Sequence, residues 1–209
     1  MTFATRSIIG AAMSAFVATT STFAQSDPDS QRLRQYQWIE TTEVAWKGDA
    51  RSLSRQLCRY GPDGQVQKVP IGALPEPLHE TGEMEEHLRE VNALIAAYMV
   101  PDRHEIERAH SPQTVSFHPT GAIKTLLFRD YVRPGDQMTL AFDPSGRKIT
   151  SVHIHTNIGP AKDVVTLWVL MASLPDGTRH VRQTLLTDSR TQLETTTTNS
   201  RYRVLGRAR

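Results

Sequence analysis

The links between apolar segments in the C-terminal half of this chain are too short for its strands to run parallel. "RPGD" (133–136), "DPSG" (143–146) and "LPDG" (174–177) each punctuate runs rich in Thr, Val, Leu and aromatic residues. Pro, Gly, Asp and Ser accept the backbone angles of a reverse turn, whereas a parallel crossover needs roughly a dozen residues or more. The spacing predicts an antiparallel meander with strands over Thr114–His118, Ile123–Tyr131, Gln137–Phe142, Lys148–Asn157, Val164–Leu174, Thr178–Thr187 and Gln192–Tyr202. "VVTLWVLMASL" (164–174) is apolar at both parities, as in a strand covered on both faces, and is expected mid-sheet.

Three strands are expected ahead of the meander. In "YQWIETTEVAW" (36–46), Tyr36, Trp38, Thr42, Val44 and Trp46 share one side of a period-two pattern that Glu40 interrupts. Arg51–Tyr60 follows, then "GPDG" (61–64) turns the chain into Gln65–Val69. After a Pro- and Gly-rich connection, Met84, Leu88, Val91, Ile95 and Tyr98 recur at helical spacing and give Glu83–Met99 a single apolar stripe. Pro101 ends this helix, and residues 102–111 offer a shorter helical piece. Strands at about 4.8 Å spacing make a sheet far wider than one helix of about 10 Å diameter can cover, and sheets already twist. The predicted fold is α+β, mainly antiparallel β: a strongly curved sheet, or open half-barrel, cradling one main helix and a short helical piece. A two-sheet sandwich is the runner-up.

The N-terminus reads as a secretory signal peptide over residues 1–24, with Arg6 ahead of the apolar run Ile8–Val17 and cleavage after Ala24. That run is shorter than the roughly 20 residues a membrane span needs, so the mature chain is expected to be periplasmic or secreted, with no transmembrane segment. Residues 25–35 read as a flexible spacer, 36–205 as one domain and 206–209 as a basic tail. The single cysteine, Cys58, cannot form an internal disulfide, stands far from the cleavage point where a lipid anchor would require it, and is expected to be buried. The formal charge of +2 gives no reason to expect a nucleic-acid partner.

In "VHIHT" (152–156), His153 and His155 point to one face of a strand while Val152 and Ile154 point to the other. Two imidazoles supply half of a zinc site, but no third ligand is evident. They are weak metal candidates, better explained as the polar face of a hairpin. His87 reads as part of the solvated side of the helix, beside Glu83 and Glu90. No G-x-S-x-G elbow, phosphate loop or dinucleotide fingerprint occurs, so neither catalysis nor a cofactor is expected. Glu40 must find a cation, water or a bend, because an unpaired buried carboxylate is expensive.

The order of signal peptide, long opening strands, helix and Thr- and Val-rich meander resembles the periplasmic lipoprotein-carrier (LolA/LolB-like) superfamily. "CRYGPDGQVQKVPIG", "FRDYVRPGDQMTLAFD", "LPDGT" and "TNSRYR" also resemble phrases of uncharacterised exported bacterial proteins. The superfamily likeness implies an incomplete barrel around a helical lid, with a cavity for a lipid-like molecule. If this chain encloses one, its lining is expected to come from Tyr36, Trp38, Val44 and Trp46 of the first strand, Leu88, Val91 and Ile95 of the helix, and Trp168. The expected partner is a hydrophobic small molecule or lipid, or a protein of the cell envelope. The alternatives, in that order, are a structural or interaction module with a filled core and no small ligand, and a metal-dependent enzyme using the His153 and His155 pair.

Overall fold

The computed structural model describes residues 28–46, 50–72, 86, 87, 89–91, 93, 94, 98, 115–120, 123–145, 148–158 and 163–206. The expected signal peptide and the 102–111 piece lie outside the described residues. A short helix, α1 (Pro28–Leu33), opens the described chain. It falls within the segment expected as a spacer, and its Leu33 is buried at 5% exposure. Ten strands follow: β1 (Tyr36–Trp46), β2 (Ala50–Tyr60), β3 (Val66–Pro70), β4 (Val115–Thr120), β5 (Ile123–Arg129), β6 (Gln137–Phe142), β7 (Ile149–Ile158), β8 (Asp163–Ser173), β9 (Arg179–Asp188) and β10 (Leu193–Val204). Between β3 and β4, residues 86, 87, 89–91, 93 and 94 are helical (α2).

The strands form one sheet in the order β3-β2-β1-β10-β9-β8-β7-β6-β5-β4, and every neighbouring pair is antiparallel. A two-sheet sandwich is thereby overturned. β1 starts in the interior of the sheet, β2 and β3 build outward to one edge, and β4 begins at the other edge and returns strand by strand until β10 meets β1. The edge strands β3 and β4 are not paired with each other, so the sheet is open. The connection between them, residues 71–114, links the two edges of the sheet.

Register decides which face. One row of paired residues runs Val44–Thr195–Leu186–Leu167–Ile154–Met138–Phe128 across seven strands, and every member is at most 7% exposed. Val91, Leu94 and Tyr98 belong to the same buried cluster, so the edge-to-edge connection crosses this inner face. At about 1.5–3 kcal/mol for each fully buried aliphatic side chain, the row dominates the stabilisation of the sheet. The row on the opposite, outer face runs Glu43–Thr196–Leu185–Trp168–His153–Thr139, and Trp168 is 44% exposed. β8 is central, as expected, but covered on one side only: its outward Val164, Trp168 and Leu170 are all exposed.

A bulge reshapes one end of the sheet. Ile39 pairs with Ser200 and Gln37 with Arg203, so Trp38 faces two residues of β10. Arg201 takes up the extra length with φ 54°, in the left-handed region. Without the bulge, strand alternation would turn Tyr202 to the outer face. With it, Tyr202 stacks on Trp38, with centroids 5.7 Å apart and planes 15° apart. Arg201→Gly is expected to hold stability within about 0.5 kcal/mol, because relief of the positive φ offsets the added freedom of the unfolded chain, whereas Arg201→Val should cost about 1–2 kcal/mol. Urea unfolding of the two variants checks the contrast.

Candidate functional site

The inner face divides into an apolar part, a hydroxyl-lined part and an aromatic end. In the row next to the core row, β1, β10 and β9 contribute Thr42, Thr197 and Thr184, while β8, β7 and β6 contribute Val169, Val152 and Leu140. All six are buried. Thr42 and Thr197 exchange one hydroxyl contact at 3.3 Å. Ser52 Oγ and Thr184 Oγ1 are buried with no hydrogen-bond partner, and so is Gln56 Oε1.

Toward the start of β1 the face becomes aromatic. Trp38 lies between Tyr202 and Tyr60, and His180 sits against Tyr202 at 4.3 Å. Trp38 Nε1 donates to Asn199 Oδ1 at 3.0 Å, and Asn199 Nδ2 donates to the Val181 carbonyl at 3.1 Å. Burial, with Arg182 alongside, holds His180 below the ordinary histidine range. Cys58 is fully buried beside Trp38, and burial pushes its thiol up to about 12, so at neutral pH it is an inert thiol.

Glu40 obtains the cation its position demands. Lys68, on the edge strand β3, reaches across β2 and places Nζ 3.1 and 3.2 Å from the two carboxylate oxygens. Side-chain exposure is 4% for Glu40 and 14% for Lys68. Burial still wins over the ammonium, and the Glu40 carboxyl stays above its usual range.

At the opposite end of the strands, His87 of α2 and the turn residue Tyr98 beyond it are tied to the sheet by polar contacts. His87, read from sequence as solvated, is buried and bonded through Nε2 to Asp188 at the end of β9. A position on a helix says only which side a residue shares, and here the sheet supplies a buried carboxylate to that side. Asp188 also accepts from the Arg190 amide and the Thr191 hydroxyl. Tyr98 donates its hydroxyl to Asp136 at 2.5 Å and accepts from Thr156 at 2.9 Å. Asp136 further accepts the backbone amides of Tyr131, Val132 and Arg133, which makes it the organiser of the "RPGD" turn. Asp188, Val165 and Thr156 are consecutive register partners, so the contacts of His87 and Tyr98 fall on β9 and on the β6–β7 side of the face respectively.

The expected cavity residues therefore separate. Val44 and Val91 belong to the core, with Trp46 packed against it. Trp38 lies in the aromatic end, and Tyr36 sits at its rim with its hydroxyl bonded to Asp176 at 2.6 Å. Trp168 is corrected to the outer face, because it alternates with the buried Leu167 and Val169. Leu88 and Ile95 lie outside the described residues. His153 and His155 share the outer face as expected, but His153 stacks on Trp168 with centroids 3.9 Å apart. Burial and the neighbouring His155 lower its basicity, and no cluster of three metal-ligating side chains exists among the described residues. A separate outer-face cleft of 530 Å³ is lined by Glu43, Thr187, Glu194 and Thr196, among others. Sequence reasoning missed Lys68, Tyr60 and Tyr202; counting register through the "GPDG" turn would have found Lys68.

The sign of the Glu40 effect is fixed by its raised carboxyl. A folded-state pKa above the reference value of 4.5 means that folding favours the protonated acid, so this contribution is present at low pH and is lost as pH rises through the raised value. In urea unfolding from pH 4.5 upward, Glu40→Gln is expected to lose less stability than the parent. Lys68→Met should lose more, about 2–3 kcal/mol by neutral pH, because it strands the carboxylate.

No known protein family's profile matches the sequence, and no curated protein matches it. Among solved structures, the chain is similar to a LolA superfamily protein from Nitrosomonas europaea, at 12% identity and TM-score 0.41 over 94% of each chain. It is also similar to an outer membrane lipoprotein-sorting protein domain from Vibrio parahaemolyticus, at 11% identity and TM-score 0.36 over 92% of this chain and 93% of that one. A DUF1329 family protein from Desulfovibrio piger is similar at 9% identity and TM-score 0.39, over 95% of this chain and 94% of that one.

Proposed function

We propose that this chain is an exported, non-enzymatic protein that holds a hydrophobic, lipid-like ligand between the inner face of its sheet and the connection that crosses it. The observation that carries this reading is topological. The inner face carries a buried apolar cluster reaching from Phe128 to Val44, and among the described residues the segment that links the two edge strands adds no strand of its own to the sheet order. Among the described residues, displacing that segment breaks no strand ladder. Its described residues carry two polar attachments to the sheet, His87 to Asp188 and Tyr98 to Asp136, and such contacts exchange for water at a modest net cost of about 1 kcal/mol each. A cover of this kind can lift and return in register. A half-barrel that curves around α2 follows from the same reading.

The zero exposure of Val91, Tyr98, Met138 and Val169 favours the second reading, a filled interaction module. Native mass spectrometry of the protein released from the periplasm separates the two. The carrier reading expects a co-purifying amphiphile of lipid-like mass; bare protein that also fails to take up N-phenyl-1-naphthylamine overturns it. Tyr98→Phe removes one attachment and should speed release of that probe by about tenfold, equivalent to about 1.4 kcal/mol, as read by stopped-flow fluorescence.

A further inference from the structure

The hydroxyl-lined part of the inner face is unlike a structural core. Native interiors leave few buried polar side chains without partners, yet Ser52 Oγ on β2, Gln56 Oε1 on the same strand and Thr184 Oγ1 on β9 are all buried and unpaired. Ser52 is 5% and Thr184 1% exposed. By register, Ser52 pairs with Val44, Gln56 with Glu40, and Thr184 with Thr197 on one side and Val169 on the other. The unpaired atoms thus fall within three strand spacings of each other and meet the apolar part of the face at the Thr184–Val169 step.

The charges beside them are already matched. Lys68 Nζ contacts both oxygens of Glu40, and His180 is held toward its neutral form by burial. Among the described residues, no other basic side chain is placed on this patch by its contacts. A phosphate or carboxylate entering here would lose its water without gaining a counter-charge. A neutral hydroxyl group both donates and accepts, and so can pair with serine and threonine hydroxyls and with an amide oxygen alike.

We propose that this patch receives the uncharged, hydroxyl-bearing end of an amphiphile whose hydrocarbon lies along Val169, Val152 and Leu140. The inference rests on the hydrophobic-ligand reading and adds the polar chemistry of its ligand.

The test uses the mature protein loaded with N-phenyl-1-naphthylamine and two competitors that share an oleoyl chain, 1-monooleoylglycerol and oleoyl lysophosphatidate, each below its micelle concentration. Monooleoylglycerol should displace the probe at a concentration at least about tenfold lower than the phosphate compound does. Ser52→Ala and Thr184→Val, measured separately so that loss of one fold leaves the other, should reduce that preference to less than about threefold. Each unliganded variant should melt no lower than the parent, because it loses an unpaired buried hydroxyl and no bond. Equal or reversed preference in the parent, or an unchanged preference in both folded variants, overturns the inference and leaves hydrophobic binding standing. A probe that does not bind overturns both.

Discussion

An open antiparallel sheet has two faces and an alternation that assigns every residue to one of them, and in this protein nearly all of the burial falls on a single face. The row from Val44 to Phe128 is the consequence: seven strands contribute one buried residue each, at the same height. Because β3 and β4 do not pair, the sheet does not enclose this face by closure. Among the described residues, the β3–β4 connection contributes Val91, Leu94 and Tyr98 to this face, so its burial draws on a segment outside the strand ladder. The polar ties of His87 to Asp188 and of Tyr98 to Asp136 give that segment a fixed register over the strands. Apolar contacts alone are non-directional and would not.

The strand meander was legible in the sequence because its cause is local. Four-residue links admit only antiparallel neighbours, and period-two alternation places each strand's ends within a residue or two. Strand order was not legible. That β10 returns to pair with β1, leaving β3 and β4 as edges, depends on contacts separated by more than a hundred residues. The parity of a strand is likewise local, but its assignment to inner or outer face is not. "VVTLWVLMASL" reads as apolar on both sides, and only the partners of β8 show that Leu167 and Val169 face the core while Trp168 faces outward.

Bulges explain why several side chains of the aromatic end escaped a reading by alternation. An extra residue at Arg201 shifts Tyr202 from the parity its strand assigns to it, and brings it onto Trp38. A second irregularity, where Leu170 pairs with Gln183 and Met171 with Val181, leaves Arg182 as the extra residue. His180 and Val181 are then both buried although they are adjacent. Each bulge bends the local ladder and re-aims one side chain: the first brings Tyr202 onto Trp38, where His180 also contacts it, and the second turns Val181 to the parity of Met171. Glu40 was legible as a demand for a cation, since a carboxylate on an apolar face has few other solutions, but the identity of Lys68 follows only from the β2–β3 register.

The composition of the inner face poses the question on which function turns. Threonine and valine have nearly the same shape and both suit a strand, so a face that served packing alone would lose nothing by carrying valine at positions 42, 184, 195 and 197. Each threonine there is buried, and each buried hydroxyl that lacks a partner costs stability which valine would not. Thr42 and Thr197 offset this by bonding to each other; Thr184, at the border with Val169, does not. The apolar strands β8, β7 and β6 show that this sheet can present a purely hydrocarbon surface. The change to hydroxyls at β9 is therefore a property of where the residues lie on the face rather than of the strand scaffold, and it sets apart a polar region that an all-hydrocarbon ligand would leave unsatisfied.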